Sequence, residues 1–482
     1  MKKIITSNSG YNYIYSSYMN SFLLTPFADA KEKIVNLNIN KEEVSYYEKK
    51  MIFLKEHGIL DDNILPIMDI EYDSFCIESN LANLNQLLIE VTDECNLACK
   101  YCSYGELYGN YDVREGKKQS FNNVKILIDF LYDLWKSYKN ISFDNVINIG
   151  FYGGEPLMNF TLIKQIIDYL ESLELNGFKF VYNLTTNAVL LSKYIDYLVE
   201  KEIHLLISLD GSKENNVYRT AKDGRELFDV IYSNIICLKD KYPDYFDKCV
   251  NFNAVLHNRN SLVGIYEYIK DTFDKVPYVS ELNRNGVDIE KNEMFNQMYV
   301  KKSDSIKQAV NCESINLNDI IADTKITQLN IFMMSYSGNI YKTIPDLFFL
   351  DEKLRYYPTS TCTPFSRKIF LTVNGKILPC EKIGQQYPLG HITNGTVCLD
   401  IKEIKDFYAC LYRPIVDKCK HCLLWKTCEI CVFFLPKDEN NKVICPYFCG
   451  ETEISNYFAS YLSVLESQPE LQDKIANEII ID

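Results

Sequence analysis

Cys95-Asn96-Leu97-Ala98-Cys99-Lys100-Tyr101-Cys102 places three cysteines in eight residues, at the spacing C-x3-C-x2-C, directly after the apolar run Leu87-Leu88-Ile89-Glu90-Val91. Four thiolates close a structural metal site. Three leave one position of an iron–sulfur cluster open, and a vacant metal position is where catalysis can occur. The same spacing also fits a zinc site with a distant fourth ligand, so the surrounding pattern has to decide.

Outward from this stretch the chain alternates strand and helix. Val124, Leu127, Ile128, Leu131 and Leu134 recur at steps of three and four, which predicts a helix with one apolar face. Val146 to Tyr152 reads as a strand running into Gly153-Gly154-Glu155-Pro156, with a helix from about Thr161 to Leu175. Phe178 to Leu184 is a third strand, ending at Thr185-Thr186-Asn187, and Ser192 opens a third helix. Leu205-Leu206-Ile207-Ser208-Leu209 is a fourth, ending at Asp210-Gly211, and Val250 to Leu256 and Tyr278 to Leu282 complete six. Repeated βα units with right-handed crossovers make a parallel sheet, so the expected fold class is α/β, a partial (β/α)6 barrel. The cysteines, Gly-Gly-Glu-Pro, Thr-Asn and Asp-Gly all follow strand ends. In βα barrels those loops build the site, so four motifs converge on one mouth.

Residues 1–80 read as a small N-terminal α+β module. Tyr11 to Leu24 suits a hairpin around Ser16-Ser17-Tyr18-Met19-Asn20. A helix follows, with Asn40 as N-cap, Glu43 three residues on, apolar Val44, Tyr47, Met51 and Leu54, and Gly58 as stop. The run Phe53 to Leu60 reads like the helix before the wing of a winged helix; a cap over one end of the main domain is the alternative. The barrel is expected over 81–310, with a helical stretch around Glu293 to Val310, and a bridging region over 311–360. A Cys-rich domain over 361–450 contains a hairpin, Ile369 to Leu378, turning at Asn374-Gly375. In the tail, 451–482, Ile454 to Val464 forms a helix that packs back on the body.

Bulk properties narrow the function. At 482 residues the chain is long enough for two to four domains, at ~100–200 residues each. The net charge of -14 argues against a nucleic-acid substrate, which calls for a basic face. The N-terminus lacks the apolar core of a signal peptide, and no apolar run reaches membrane-span length. A cytoplasmic location follows. In that reducing compartment the 17 cysteines, ten of them from Cys362 to Cys449, read as metal ligands rather than disulfides. Cys76, Cys237, Cys249 and Cys312 are isolated and read as buried structural thiols.

On these residues the chain resembles the radical S-adenosylmethionine (SAM) enzymes of the SPASM type, from about Leu87 to Gly450. The resemblance implies that Cys95, Cys99 and Cys102 hold a [4Fe–4S] cluster whose fourth iron chelates SAM, with Tyr101 beside its adenine. Gly153-Gly154-Glu155 matches the family's Gly-Gly-Glu motif: glycines allow close approach to the methionine, and a carboxylate can accept from its ammonium. Ser208 and Arg219 match positions at the ribose and the methionine carboxylate, with Thr186-Asn187 and Asp210 at related strand ends. Turn and capping roles are the ordinary alternative for these residue types.

Cys362-x12-Gly375-x4-Cys380, then Cys419-x2-Cys422-x5-Cys428, agree with the SPASM pattern for two auxiliary [4Fe–4S] clusters. By that pattern Cys419, Cys422, Cys428 and Cys449 would hold one, and Cys362, Cys380 and Cys431 would belong to the other. Two features depart from it. Cys428 and Cys431 stand at C-x2-C where the family has C-x3-C, and the first auxiliary cluster lacks an evident fourth ligand. Cys398 is the choice, with Cys410 and Cys445 behind it; an open iron that binds substrate, or a pair of zinc sites using His421, are the alternatives. Glu381, next to Cys380, stands where some relatives carry an acidic residue, and could be a general base or a surface hairpin glutamate.

The implied activity is a peptide maturase that installs an intrapeptide cross-link, thioether or carbon–carbon, on a ribosomally made precursor. Residues 1–80 would bind its leader by strand addition, and a flavodoxin or ferredoxin would supply electrons. A formylglycine-generating protein maturase and a non-catalytic metal-binding scaffold are the competing expectations.

Overall fold

The computed structural model describes residues 2–17, 20–25, 46–57, 65–137, 139–141, 145–175, 177–302, 304–305, 329–336, 356–449 and 451–470. They form two compact units, each built from separate stretches of chain. One comprises Asp73–Ile315 and Cys362–Lys405; the other comprises Met1–Tyr72, Asn316–Thr361 and Asp406–Asp482.

The first unit is the barrel. Strands β4 (Gln86–Thr92), β5 (Val146–Gly153), β6 (Lys179–Thr186), β7 (His204–Ser208), β8 (Val250–Leu256) and β9 (Tyr278–Glu281) pair in that order, all parallel. These are the six expected strands, and the mostly parallel sheet is that of a partial TIM-type barrel. Burial on both faces explains β4. Leu87, Ile89 and Val91 are fully buried on one face, and Leu88 and Glu90 are buried on the other. The helix Phe121–Trp135 is capped by the Ser120 side chain, which accepts from the Asn123 N–H. It buries Val124, Leu127, Ile128, Leu131 and Trp135 as a single stripe. The third helix departs from expectation: Leu191–Lys193 is a 3-10 turn, and the helix is Ile195–Glu200, preceded by Tyr194, which gives it no side-chain cap.

The sheet does not stop at β4. Strand β10 (Ile369–Leu371) pairs parallel to β4, and β11 (Lys376–Leu378), β12 (Gly390–Thr393) and β13 (Thr396–Cys398) follow antiparallel. The expected hairpin therefore continues the barrel sheet. Ile369, Phe370 and Leu371 are all buried, so this strand has no face to give to water and takes the open edge of β4.

In the second unit, β1 (Lys2–Thr6), β2 (Asn12–Ser16) and β3 (Ser21–Thr25) form an antiparallel meander, with the expected hairpin at β2–β3. Leu54, on the helix Tyr46–Glu56, packs with Ile14. The tail is a helix, Glu451–Ser467, and it packs on this meander: Asn8 N–H donates to Ser463 Oγ at 2.8 Å and the Tyr13 hydroxyl donates to Glu466 at 2.7 Å. An aromatic core fills the junction, with Tyr15 and Phe458 rings 4.7 Å apart and Phe332 stacked on Tyr461 at 4.6 Å. Asn40, Glu43, Val44 and the Gly58 to Leu60 part of the expected wing lie outside the described residues. Among the described residues no helix is long and apolar enough to cross a membrane.

Candidate active site

Parallel pairing brings the C-terminal ends of β4 to β9 to one edge of the sheet, and the cysteine loop starts there. Cys102 N–H bonds to the Cys99 carbonyl at 3.1 Å and Gly105 N–H to the Cys102 carbonyl at 2.8 Å, which turns the loop back on itself. Cys95, Cys99 and Cys102 line one cavity of about 750 Å³, together with Gly153, Gly154 and Arg114. Leu97 N–H points at Cys95 Sγ at 3.4 Å, and the Asn187 side-chain amide reaches the same sulfur at 3.8 Å. Burial pushes the Cys95 thiol up to about 11 and that of Cys99 to about 12, a cost that bonding to iron removes because metals bind the thiolate. Three sulfur donors on a roomy cavity, with N–H groups aimed at one sulfur, match the donor chemistry of an iron–sulfur cluster with an adjoining cosubstrate. Among the described residues no three His, Cys, Asp or Glu side chains gather at the spacing of a single metal ion.

The glycines work partly as expected. Both rim the cavity, but what they approach is backbone: a Cβ on Gly153 (φ +136°) would lie 2.1 Å from the Thr92 carbonyl oxygen, and one on Gly154 2.0 Å from that of Glu94. Their absence lets Gly154 and Glu155 N–H bond to those carbonyls at 2.9 and 2.8 Å. Glu155 is held by its neighbours. Its carboxylate, 1% exposed, accepts from Thr186 Oγ1 at 2.8 Å, Asn187 N–H at 2.8 Å and Leu157 N–H at 3.1 Å. It staples the end of β6 through these three neighbouring donors. Burial pushes it up to about 7 against these bonds.

Tyr101, Asp210 and Arg219 also meet differently. Tyr101 is buried, its hydroxyl bonded to Asp210 and its ring stacked on His257 with centroids 5.7 Å apart. Asp210, with no exposed surface, also accepts from Arg219 Nε at 3.0 Å and from Val255 N–H at 3.0 Å. Burial works to raise the Asp210 carboxyl, but Arg219, His257, Tyr101 and the Val255 N–H outweigh it and hold it low. Thus Tyr101 is not among the residues lining the cavity beside the cysteines, and Arg219 spends two of its nitrogens on Asp210. Ser208 is half-buried at the end of β7, opposite Asn253, and is likewise not part of that lining.

Residues without a sequence signal complete the chamber. Arg114 lies 3.6 Å over the Tyr104 ring, donates to the Asp93 carbonyl at 2.7 Å and reaches Glu90 at 3.4 Å. Burial pushes Glu90 up to about 7. Tyr104 packs edge-on to Tyr111 at 4.8 Å, and burial followed by the neighbouring Cys380, Cys102 and Glu381 pushes Tyr111 up to about 12. Arg114 and Tyr104 sit in a loop with no periodicity to betray them. His257 directly follows β8, so the strand-end rule that found Asp210 would also have found it.

Glu381 is paired with Lys368 at 3.2 Å and is 13% exposed, so it is not a surface hairpin residue. Cys380 is half-buried and Cys362 exposed. Cys398 does not come to them: it is exposed on β13, bonded to Thr393 Oγ1 at 3.2 Å. Its ladder runs Cys398–His391–Lys376, leaving two strand spacings of about 4.8 Å and four residues of chain between it and Cys380. Cys410 is exposed, and Cys237, expected buried, is exposed too; Cys76 and Cys249 are half-buried and Cys312 lies outside the described residues.

In the other unit, Cys419, Cys422, Cys428, Cys445 and Cys449 line one cavity of about 400 Å³. The sequence pattern had set Cys445 apart as a reserve ligand for the other cluster; here it joins Cys419. Burial, then Cys428, Cys445 and Cys422, push Cys419 up to about 12, while Lys418 Nζ holds the Cys445 carbonyl at 2.7 Å. Cys449 packs against the aromatic core of Tyr15 and Tyr336. Cys431 is half-buried outside this lining, and His421 is exposed, with Nδ1 at the Asp417 carbonyl.

A match to the Radical SAM superfamily spans residues 89–269. An uncharacterized protein of Methanocaldococcus jannaschii is 30% identical over 275 residues, 56% of this chain and 82% of that one. The radical SAM cyclopropyl synthase TigE of Paramaledivibacter caminithermalis is 24% identical over 54% of this chain and 53% of its own. A cysteine-type anaerobic sulfatase-maturating enzyme of Clostridium novyi is 24% identical over 39% and 49%. The chain spans about half the length of these last two relatives. Among solved structures, native anSMEcpe with bound AdoMet and Cp18Cys peptide shares the fold, with a TM-score of 0.53 and 18% identity over 81% of this chain and 99% of that one.

Proposed function

This chain belongs to the radical SAM superfamily, and within it we propose a peptide maturase that installs an intrapeptide cross-link, thioether or carbon–carbon, on a ribosomally made precursor. It is thus a radical SAM enzyme, which removes the non-catalytic scaffold. The observation that carries the proposal is the cavity of about 750 Å³ beside Cys95, Cys99 and Cys102, with Tyr104 on its lining and the Tyr111 and Tyr152 rings packed against Tyr104 at 4.8 and 6.3 Å. Tyr111 stands near enough to both Cys102 and Cys380 for each thiol to push it up, so the tyrosine cluster links the two sulfur groups. The peptide-modifying names of TigE and the sulfatase-maturating enzyme favour a peptide substrate.

Cys95, Cys99 and Cys102 would hold the [4Fe–4S] cluster. When bound, the cluster and SAM supply a primary carbon radical that takes a hydrogen atom from the substrate. The protein's own residues do the rest. Tyr104 lines the cavity with Tyr111 and Tyr152 packed against its ring, and the buried Tyr104 hydroxyl, which has no partner among the described residues, is free to donate. Arg114 holds Tyr104 in place, and Lys368 fixes the Glu381 carboxylate. In the other unit Cys419, Cys422, Cys428 and Cys445 would hold an auxiliary [4Fe–4S] cluster, with Cys449 a packed thiol. In the barrel unit, Cys362 and Cys380 would contribute to the other auxiliary cluster. An edge strand of the β1–β3 meander would take the leader, and a flavodoxin or ferredoxin the role of reductant.

The formylglycine reading keeps one specific support, Glu381 beside Cys380. Co-expression with a small open reading frame from the gene's neighbourhood that encodes a candidate precursor, followed by mass spectrometry, tests the proposal. Loss of two hydrogens per modification with no trappable aldehyde is expected; an aldehyde, or an unmodified peptide alongside active SAM cleavage, overturns it.

A further inference from the structure

The cysteine loop is held from outside by a second loop. Leu97 and Ala221 form an antiparallel bridge, Ala98 N–H bonds to the Thr220 carbonyl at 2.8 Å and Lys100 N–H to that of Tyr218 at 3.1 Å. Residues 97–100 therefore form one side of a short two-stranded ladder whose other side, 218–221, belongs to the excursion after β7. That excursion is itself fixed at its root: Asn216 accepts from Asp210 N–H at 3.1 Å and donates to the Gly211 and Ser212 carbonyls at 2.8 Å.

One carboxylate joins the parts. Asp210 is fully buried, and it takes the Tyr101 hydroxyl from the cysteine loop, Arg219 from the partner loop and Val255 N–H from β8. His257 Nε2 stands 3.6 Å away. The carboxylate thus has no direction left from which to meet a cosubstrate.

We propose that Asp210 is a positioning residue for the cluster-binding loop. Through Tyr101 and Arg219 it ties the cysteine loop and the segment paired with it to the barrel wall, and so fixes the three sulfurs before the cluster arrives. Ligands held by a supporting shell bind metal more firmly and in one geometry, and loss of such a partner typically weakens metal retention by about 10- to 100-fold. This rests on the assignment of the cluster to Cys95, Cys99 and Cys102.

The test uses the full chain, reconstituted anaerobically without SAM. Tyr101→Phe removes one oxygen, Asp210→Asn removes the charge at constant shape, and Arg219→Lys is the conservative comparison. Readouts are the rate of iron loss to a chelator, the electron paramagnetic resonance spectrum of the reduced cluster and thermal unfolding of the cluster-free chain. Tyr101→Phe and Asp210→Asn are expected to lose iron several-fold faster than wild type and to broaden the spectrum, with Arg219→Lys between them and wild type. Wild-type retention and spectrum in both variants would overturn the proposal. So would lower thermal stability with iron retention unchanged, because that is a structural role alone. If Asp210→Asn fails to fold, Tyr101→Phe carries the test. A triple Cys95, Cys99 and Cys102→Ala chain calibrates it: equal iron and the same spectrum there would sink the cluster assignment itself.

Discussion

The side-chain amide of Asn187 bonds Asn96 Oδ1 at 2.7 Å and reaches Cys95 Sγ at 3.8 Å, so the end of β6 touches the first cysteine of the triad. An N–H aimed at a cluster-bound sulfur stabilises the reduced, more negative state. Asn187→Ala is expected to make the cluster's reduction potential more negative and to slow SAM cleavage when reductant is limiting. A redox titration followed by electron paramagnetic resonance checks it; an unchanged or raised potential would remove Asn187 from that role.

Glu155 predicts a pH dependence of stability. Its folded value of about 7 lies above the 4.5 of an ordinary glutamate, so between these limits the folded chain binds the extra proton. Its contribution is fully present below about 4.5 and is lost as pH rises through about 7, an effect on the order of 3 kcal/mol. Urea unfolding of the cluster-free chain at pH 5.5 and 8 should show this fall, and Glu155→Gln should flatten it. An equally steep fall in the variant would assign the slope elsewhere, with Glu90 the first candidate.

Gly154 has no room for a methyl group, since its Cβ would stand 2.0 Å from the Glu94 carbonyl oxygen. Gly154→Ala is expected to destabilise the barrel by roughly 1–3 kcal/mol, with a loss of iron at the triad because the clash falls on the cysteine loop. Thermal unfolding and iron analysis read both. Wild-type values in each would mean that the two strand ends are not held flush.

Glu381 separates the two maturase readings. A general base typically contributes on the order of 10²-fold or more, so Glu381→Gln should abolish product if the reaction is oxidation to formylglycine. The cross-linking reading expects product formation to persist. The Lys368 ion pair at 3.2 Å favours a fixed carboxylate. Product yield per 5′-deoxyadenosine formed is the deciding measurement.

Five thiols around one cavity exceed the four that a [4Fe–4S] cluster takes. Cys445→Ser is expected to lower iron content, and Cys449→Ser to lower thermal stability while iron stays. The reverse pattern would return the ligand role to Cys449.

Much of the barrel was legible because strand and helix periods are local. The apolar run Leu87 to Val91 and the stripe from Val124 to Leu131 needed no knowledge of distant chain, and parallel pairing then forced the motifs to one edge. What each motif touches was not legible. Tyr101 and Asp210 are 109 residues apart, and a residue type cannot state whether its carboxylate meets a ligand or a neighbouring N–H. Glu155 accepts from two backbone N–H groups, of Leu157 and Asn187, and from the Thr186 hydroxyl, partners its residue type does not reveal. The hairpin at Asn374-Gly375 was legible as a turn, but its position beside β4 was not, because an apolar strand carries no label for the edge it will take. Cys398 was chosen by composition, and register moves it away.

The docking of Asn8 on Ser463 spans 455 residues of a 482-residue chain. The unit that contains Cys419 to Cys449 is therefore closed by segments that lie far apart along the chain. On a ribosome working at about 5–20 residues per second, β1 to β3 wait tens of seconds for their helical partner. During that interval their apolar faces need a holder, and the five-cysteine cavity has no finished wall. Iron delivery to the finished cavity must follow synthesis of the Glu451–Ser467 helix, whose Tyr457 lines it, so a cell that makes the chain quickly but delivers iron slowly would accumulate protein with this unit closed and unloaded.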